Sequence, residues 1–452
     1  MMSSETDENI PVEAAVQLGF SVPFEDDDHR RFAGHNMPLW RDWDGGQLGG
    51  RPTWLNPKDI PQDYLTCKCC QIPLVFVCQI YCPCDDISPD AYHRTFYVFA
   101  CPKSNSSNGC GKETTGTIRV LRTQLPKQNP YYPLEANELS TTHLPESWEV
   151  NLCRVCGQRG HGKCPVQGYH FCGRHHQKEH KKYIFNKKES SSDLESTFMP
   201  SVLTASELVV EEEPQVEKDE KSIEKAESPM FDDDDDDEND DEAGLDSNLE
   251  QADLNEMTGA GPETITKDDA TMKFYDRIIS IPNVNTQCLR YLRWPDQEQC
   301  LETTSPLWIR SDYRPNDADI PSCERCGAER RFEFQLMPQM LHYLLKNHEE
   351  TERNKEDDKN TIKKEEIEAL RAATNIIEQS EPEQVPPNLV DTTEKAVDAM
   401  RAKIMEGDTN KPNWGCVSVF TCTGSCGGLE VQEKSVLGAY TEEFAWKQPS
   451  LD

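Results

Sequence analysis

Paired cysteines recur along the chain at the spacing of metal-binding knuckles. Three pairs share the spacing Cys-x2-Cys: Cys67 and Cys70, Cys153 and Cys156, and Cys323 and Cys326. Thiolates are strong ligands for Zn2+, and a site with four protein ligands leaves no coordination position for water. Sites of this kind stabilise a fold and do not catalyse a reaction, so the cysteine pairs predict structural zinc.

Two distant segments repeat one order of residues around their cysteine pairs. Each contains Pro-x-Trp-aliphatic, Asp-Ile-Pro, the cysteine pair, Phe-x-x-Gln-aliphatic, and Val-Phe-x-Cys with a further cysteine behind it. We interpret the repeat as an internal duplication of one zinc-binding β unit. The predicted ligands are Cys67, Cys70, Cys101 and Cys110 in the first unit, and Cys323, Cys326, Cys422 and Cys426 in the second. Competing ligands in the first unit are Cys69, Cys82 and Cys84.

The third cysteine pair opens a basic, histidine-rich finger between the two units. Its predicted zinc ligands are Cys153, Cys156, Cys172 and His176. Candidate ligands for a second zinc in the finger are Cys164 with His161, His170 or His180, and the spacing leaves this fourth site of the chain open. Residues 151–190 contain 9 Lys+Arg and 2 Glu, a net charge of +7. Because the segment lacks interleaved exposed aromatic residues, we favour protein contact over direct RNA or DNA binding.

The ligands must be positioned by strands. Runs of β-branched and aromatic residues predict strands at 74–81, 95–101, 116–121, 331–336 and 416–422. The predicted fold class is α+β and mostly antiparallel β. Two duplicated zinc-stapled β units form its core, with an inserted zinc finger and a long disordered acidic linker. Trp54, Trp308 and Trp446 are expected to be core residues more than contacts for a partner.

Composition divides the chain into seven predicted segments. They are a disordered tail (1–45), the first β unit (46–150), the finger (151–184), an acidic disordered linker (185–270), the first part of the second β unit (271–346), a charged, partly helical insertion (347–412) and the second part of that unit (413–452).

Acidic residues are concentrated in one of these segments. The 452-residue chain has a net charge of −35, and residues 201–260 hold 23 Asp+Glu against 3 Lys, a net of −20. Such a block repels itself and cannot bury apolar surface, so it is expected to be a solvated spacer or an arm that holds a basic partner. The overall charge argues against a protein that coats nucleic acid.

The sequence shows neither a secretory signal nor a membrane-spanning segment, which indicates a reducing compartment. Residues 1–20 lack the basic and apolar regions of a secretory signal, and no window approaches 18 consecutive apolar residues. We therefore expect neither secretion nor a membrane span. In a reducing compartment, clustered cysteines indicate metal binding more than disulfides.

Several longer runs resemble the programmed cell death protein 2 family. They are Leu18-Gly19-Phe20, GGRPTWL (49–55), IRVLRTQLPKQNPYY (118–132), CRVCG (153–157), IPSCERCGAERRFEFQLMPQML (320–341), the run from Trp414 to Cys422, and YTEEFAWKQ (440–448). The finger resembles a MYND finger, which holds two zinc ions in that family of modules. Here Gln167 stands where a further cysteine belongs.

The resemblance implies a function that the spacing of residues does not show. Members of the family act as dedicated chaperones for a newly made small-subunit ribosomal protein, the universal small-subunit protein five. They support production of the 40S subunit and escort the client towards pre-ribosomal particles, between cytoplasm and nucleus. A strongly acidic carrier suits such a basic client, because its carboxylates compete with RNA.

Two other classes of function compete with this one. The chain has no Gly-x-Ser-x-Gly, P-loop, His-Glu-x-x-His or dinucleotide-binding motif, so we do not expect an enzyme. The alternative is a nuclear corepressor or protein-interaction adaptor that acts through the MYND-type finger in transcription or in the control of cell death and proliferation.

Overall fold

A computed structural model describes twelve stretches of the chain: 16–23, 46–63, 65–104, 109–132, 150–165, 168–186, 202–214, 268–279, 286–295, 306–346, 411–428 and 437–451. The strands are β1 (Gln17–Val22), β2 (Gln47–Leu48), β3 (Val75–Tyr81), β4 (His93–Ala100), β5 (Ile118–Leu125), β6 (Gly162–Lys163), β7 (His170–Phe171), β8 (Ser206–Glu212), β9 (Gln287–Tyr291), β10 (Arg330–Leu336), β11 (Cys416–Cys422) and β12 (Thr441–Gln448). The helices are α1 (Arg174–Asn186) and α2 (Asp269–Ile279).

Ten of the strands close into one barrel in the order β1-β8-β2-β3-β4-β5-β12-β11-β10-β9. Every neighbouring pair is antiparallel, which confirms the predicted mostly antiparallel β fold. The two predicted units meet where β5 pairs with β12, and β1 and β8 join them on the opposite side. Closure leaves the sheet without an edge strand, although β5 and β12 pair only over Thr441–Glu443.

The strand order runs symmetrically outwards from the β5–β12 pair. The series β5, β4, β3, β2 on one side matches β12, β11, β10, β9 on the other. Both β3 and β10 carry a bulge at the same repeated position, between Phe76 and Cys78 and between Phe332 and Phe334. A bulge re-aims the side chains that follow it, so the shared bulge gives the two units the same inward and outward faces.

Apolar side chains from both units fill the inside of the barrel. Phe96 and Val98 of β4 lie in one cluster with Phe334 of β10 and Val419 of β11. The rings of Phe96 and Phe334 lie 5.2 Å apart. Residues 340–346 are helical and add Met340 and Leu344 to the same core. The two units therefore share one hydrophobic core, and unfolding either exposes apolar surface of the other.

A buried ion pair crosses the core between the units. The Arg94 guanidinium donates to both oxygens of Glu333, at 2.5 and 2.8 Å, and both side chains are fully buried. Burial alone would raise the pKa of Glu333, but the charge of Arg94 and hydrogen bonds from Arg94, Thr421 and Tyr291 lower it. The carboxylate is therefore held ionised, and removal of either partner would leave an uncompensated buried charge.

Two regions predicted to be disordered contribute strands to the barrel. The prediction is wrong for Gln17–Val22 in the tail and for Ser206–Glu212 in the acidic linker, which pair with each other over six residues. Leu18 and Leu208 bury their side chains there, and that apolar gain outweighs the acidic surroundings. The acidic block 231–242 and nearly all of the predicted insertion 347–412 lie outside the described residues. The segment boundaries themselves stay predictions.

Among the described residues, no helix combines the length and the apolar character that a bilayer crossing requires.

Candidate metal centres

The structure brings the twelve predicted ligands together in three groups of four. They are Cys67, Cys70, Cys101 and Cys110; Cys323, Cys326, Cys422 and Cys426; and Cys153, Cys156, Cys172 and His176. Within each group the ligand atoms all lie within 4.8 Å of one another. Each group can hold a metal ion, which agrees with the predicted zinc.

Distances in the first two groups fit a tetrahedral ion. The Sγ atoms of Cys70 and Cys101 lie 3.6 Å apart, and those of Cys67 and Cys110 lie 3.8 Å apart. In the second group the separations are 3.4, 3.5 and 3.8 Å. Four thiolates about 2.3 Å from one Zn2+ would lie about 3.8 Å apart. A disulfide needs an S–S distance of about 2.05 Å, so none of these contacts is a disulfide.

All three knuckles use the same backbone turn. The amide of the residue after the second cysteine donates to the carbonyl of the first: Gln71 to Cys67, Gly157 to Cys153 and Gly327 to Cys323. These three residues have φ values of 58°, 69° and 78°, in the left-handed region. Glycine reaches that region without strain, which explains two of the three residues. The turn points both thiolates of a pair to one side.

The thiols of each group interact, so that the pKa of one thiol is lowered while burial and the neighbouring thiols raise the pKa of others, such as Cys156 and Cys426. In the second group, the hydrogen bond between Cys422 and Cys426 lowers the pKa of Cys422 to about 4 in spite of its burial. In the finger, hydrogen bonds from Cys156 and Cys172 lower the pKa of Cys153. Thiolate is the form that binds metal. With four ligands in place no coordination position would remain, so the chemistry that zinc could supply here is structural.

The finger group combines the knuckle with the start of helix α1. His176 Nδ1 lies 3.1 Å from Cys172 Sγ and 3.5 Å from Cys153 Sγ. Its other nitrogen, Nε2, lies 4.0 Å from a carboxylate oxygen of Glu179. This contact is at ion-pair distance but is too long for a hydrogen bond. His175 Nε2 also lies 3.7 Å from Cys172 Sγ, but only His176 belongs to the four-ligand group.

Among the described residues of the finger, the structure does not assemble a second metal site. Cys164 is buried in the finger core, and His180 packs its ring 5.3 Å from Phe171 and 5.6 Å from Tyr169. Within the described part of the chain, no group of three or more ligand atoms includes Cys164 or His180. The open fourth site therefore stays a prediction without a completed set of ligands.

Several other cysteines are core residues of the barrel. Cys78, Cys82 and Cys288 lie in the main hydrophobic cluster, and Cys84 and Cys416 are also buried. Burial raises the pKa of Cys82 and of Cys288 to about 12, so these thiols stay protonated. Cys82 and Cys84 belong to none of the ligand groups, and Cys69, which is exposed beside the first group, does not either.

The finger packs on the outer face of the first unit, a contact that the spacing of residues did not predict. Trp54 Nε1 donates to the carbonyl of Gly157 at 2.8 Å, and the Leu65 amide donates to the Gln158 side chain at 2.8 Å. The Arg51 guanidinium donates to the carbonyl of Arg154 at 3.1 Å. The finger is thus a fixed part of this face, and its knuckle helps to bury Trp54.

Comparisons with known proteins match one protein family along nearly the whole chain. The N-terminal domain of the programmed cell death protein 2 family matches residues 15–139, and its C-terminal putative domain matches residues 268–370. Programmed cell death protein 2 of Bos taurus is 27% identical over 432 residues, which cover 92% of this chain and 94% of that protein. The Mus musculus protein of the same name is 26% identical over 451 residues, 97% of each chain. Programmed cell death protein 2-like of Homo sapiens is 25% identical over 324 residues, 67% of this chain and 79% of that protein. No solved structure matches significantly.

Proposed function

The chain belongs to the programmed cell death protein 2 family, and on that premise we propose that it is a zinc-stabilised carrier for a newly made, basic protein of the small ribosomal subunit. The client is the universal small-subunit protein five. The carrier acts by binding and not by catalysis, works in the cytoplasm and the nucleus, and supports assembly of the 40S subunit on pre-ribosomal particles.

The observation that carries the proposal is the distribution of charge. The chain has a net charge of −35, and residues 215–260 alone hold 19 Asp+Glu against 3 Lys, a net of −16. A free ribosomal protein is basic and binds RNA without selectivity through its phosphates. A dense block of carboxylates accelerates encounter with such a protein and competes with RNA for its cations.

Zinc is the proposed metal of all three groups. The two four-cysteine groups and the Cys3His group supply the ligand types that zinc prefers in closed structural sites. The two barrel groups each tie together segments far apart in sequence, for example Cys323 and Cys426. In the two barrel groups, zinc would fix the ends of β4 and β11 to the knuckles that precede β3 and β10.

The proposed duplication has three supports besides the repeated motifs. They are the symmetric strand order, the shared bulge, and one hydrogen bond that recurs in both units. Gln79 accepts from the Thr53 amide at 2.8 Å, and Gln335 accepts from the Leu307 amide at 3.0 Å. Each glutamine thus ties the residue before the repeated tryptophan to the same strand.

Capture of the client during its synthesis tests the function. The client is translated in a purified system that contains the full-length chain, and soluble complex is measured over a series of salt concentrations. Since Ser206–Glu212 belongs to the barrel, the acidic arm is altered only over 215–260. Its acids are replaced by Asn and Gln, and the matched control keeps all the acids in shuffled order.

We expect the neutralised arm to slow capture and flatten its salt dependence, while the shuffled arm behaves as wild type. Capture that is the same across salt for both arms would remove the arm from the mechanism. Failure of the wild-type chain to capture the client at all would overturn the proposed function.

The corepressor alternative makes a different prediction for the finger. In cells, Cys153→Ser with Cys156→Ser would leave ribosome production intact and alter transcription if the finger alone carried the function. Loss of small-subunit assembly would contradict that alternative. The finger packs on the first unit, so thermal unfolding of the purified variant must accompany the assay.

A further inference from the structure

A cleft of about 790 Å3 lies between the two zinc-binding units. Lys68 and Cys69 of the first knuckle and residues 113–116 line one wall. Asp319, Pro321 and Glu324, around the second knuckle, line the other. Residues 442–446 of β12 form the floor. The cleft thus joins the two knuckles across the seam of the barrel.

The cleft opens because β5 and β12 separate. The two strands pair only over Thr441–Glu443, whereas β12 pairs with β11 as far as Gln448. Beyond the short pairing, the Lys447 amide donates to the carbonyl of Thr114 at 2.7 Å. The backbone around Ala445 therefore has β11 on one side and the cleft on the other.

Aromatic side chains form an incompletely covered face on the floor of the cleft. Phe444 and Trp446 are half-buried, with ring centroids 6.3 Å apart, and Phe420 lies 6.1 Å from Phe444. Tyr313, whose carbonyl accepts from Trp446 Nε1 at 2.7 Å, is 40% exposed. In the first unit the corresponding outward face, with Phe99, is buried beneath Trp54. The second unit has no such cover among the described residues.

The charge of the lining selects the kind of partner. Five carboxylates line the cleft against two cations. Both cations already have partners: Lys68 lies 3.0 Å from Glu442, and Arg330 lies 3.0 Å from Glu443. The remaining carboxylates are Glu113, Asp319 and Glu324, all exposed at the rim. Exposed carboxylates around half-exposed aromatic faces suit Arg and Lys side chains, through ion pairs and cation–π contact.

We infer that this cleft is the docking site for an extended, Arg- and Lys-containing segment of the protein client. The inference rests on the proposed function and adds the surface that carries it. The cations of the segment pair with Glu113, Asp319 and Glu324, and its side chains pack on Phe444 and Trp446. Apart from the short unpaired stretch of β12 around Ala445, the described strands offer the segment no edge to extend, so recognition depends mainly on these side chains.

Matched charge variants test the assignment. The cleft variant carries Glu113→Gln, Asp319→Asn and Glu324→Gln. The control carries Asp63→Asn, Asp85→Asn and Asp276→Asn, which remove three equally exposed carboxylates outside the cleft. Both are made in the full-length chain, and unchanged thermal unfolding and metal content show that the fold is kept. The capture assay described above then gives the affinity for the client.

We expect the cleft variant to bind the client about tenfold more weakly, and the control variant to bind within about twofold of wild type. Equal affinities of the two variants would overturn the docking site. If wild type captures the client and the cleft variant does so equally well, only the cleft assignment fails. If wild type captures no client, the proposed function fails with it.

A photocrosslink locates the contact directly. Thr115, which is exposed in the lining, is replaced by p-benzoylphenylalanine, with Asp276 replaced in the same way as the control position. We expect crosslinks from position 115, and not from 276, to a peptide of the client that contains Arg or Lys. Crosslinks from 115 to the chain itself, or from both positions alike, would contradict the inference.

Discussion

In the first unit Trp54 lies inside a core, whereas its counterpart in the second unit, Trp308, is half-buried. The Trp54 ring lies 4.9 Å from Tyr97 and stands edge-on to Tyr440 at 5.2 Å. The finger closes over it through the carbonyl of Gly157. The same repeated motif thus produces an inner layer in one unit and part of a surface in the other.

This difference shows how two units of matching strand order can differ in their tasks. The inside of the barrel needs both units equally, because it is one core. The outer faces have no such constraint, so one can be covered by a finger while the other keeps its aromatic side chains accessible. Stability is then expected to depend more on the outer face of the first unit, and binding on that of the second.

Loss of a metal ligand is expected to have the largest effect and to differ between the units. Cys101 is fully buried, whereas Cys326 is exposed. We expect Cys101→Ser to remove one zinc and to cost more than about 4 kcal/mol of unfolding free energy. Cys326→Ser should also remove one zinc, with a smaller loss of stability. Native mass spectrometry counts the zinc, and urea unfolding gives the free energy.

Cys69→Ser is the control for these variants, because Cys69 is an exposed cysteine beside the first group. It should keep all the zinc and the stability of wild type. Loss of zinc from Cys69→Ser would make Cys69 a ligand and would break the equivalence of the two barrel groups.

Variants of the Arg94–Glu333 ion pair can test whether the two units unfold in one cooperative transition. The bulge of β10 places Glu333 where the equivalent position of β3 has Val77, so the first unit has no carboxylate at that position. Glu333→Gln leaves Arg94 buried without a counter-ion and is expected to cost about 3–5 kcal/mol. Replacing both partners, with Arg94→Met and Glu333→Leu, should recover most of that loss.

Calorimetry with the Glu333 variants provides the measurement. A single cooperative transition that shifts as a whole supports one shared core. Two separate transitions, of which only one moves, would show that the units unfold independently.

The repeated tryptophans compare the two outer faces directly. Trp54→Ala removes a side chain that is 2% exposed, and we expect a cost of about 3–5 kcal/mol. Trp308→Ala should cost about 1 kcal/mol, because its side chain is already partly in water. Urea unfolding measures both losses of unfolding free energy. Equal losses would contradict the conclusion that Trp54 is buried beneath the finger while Trp308 is partly exposed.

The ligand sets could be predicted from the sequence because metal chemistry fixes the spacing within a knuckle. The four residues of each set lie together in the structure, although pairs such as Cys67 and Cys110 are remote in sequence. The strands β3, β4, β5, β10 and β11 could also be predicted, since each is a run of β-branched and aromatic residues.

Long-range pairing explains what local pattern did not predict. β1 and β8 are short strands in polar or acidic surroundings, and they become strands only because Leu18 and Leu208 find partners far along the chain. The cleft has the same origin. Glu113 and Glu324 become neighbours only through the pairing of β5 with β12, and no spacing along the sequence reports that pairing.

The hydrogen bond that recurs in both units gives a further comparison, with small expected effects. Gln79 accepts from the Thr53 amide, while Gln335 accepts from the Leu307 amide and also donates to the Leu307 carbonyl. Truncation leaves these backbone groups without a partner, so Gln79→Ala should cost about 1 kcal/mol and Gln335→Ala about 2 kcal/mol. Gln62→Ala, at an exposed glutamine, should cost nothing measurable.

Urea unfolding of the two single variants and the double variant measures both values. The two hydrogen bonds belong to different units, so their effects should add within about 0.5 kcal/mol. A Gln79→Ala cost well above that of Gln335→Ala would mean that the covered face of the first unit amplifies the loss of even a single hydrogen bond. Burial of the outer face of the first unit by the finger would then affect local stability more than the recurring glutamine hydrogen bond does. The two units would have the same strand order but different contributions to stability.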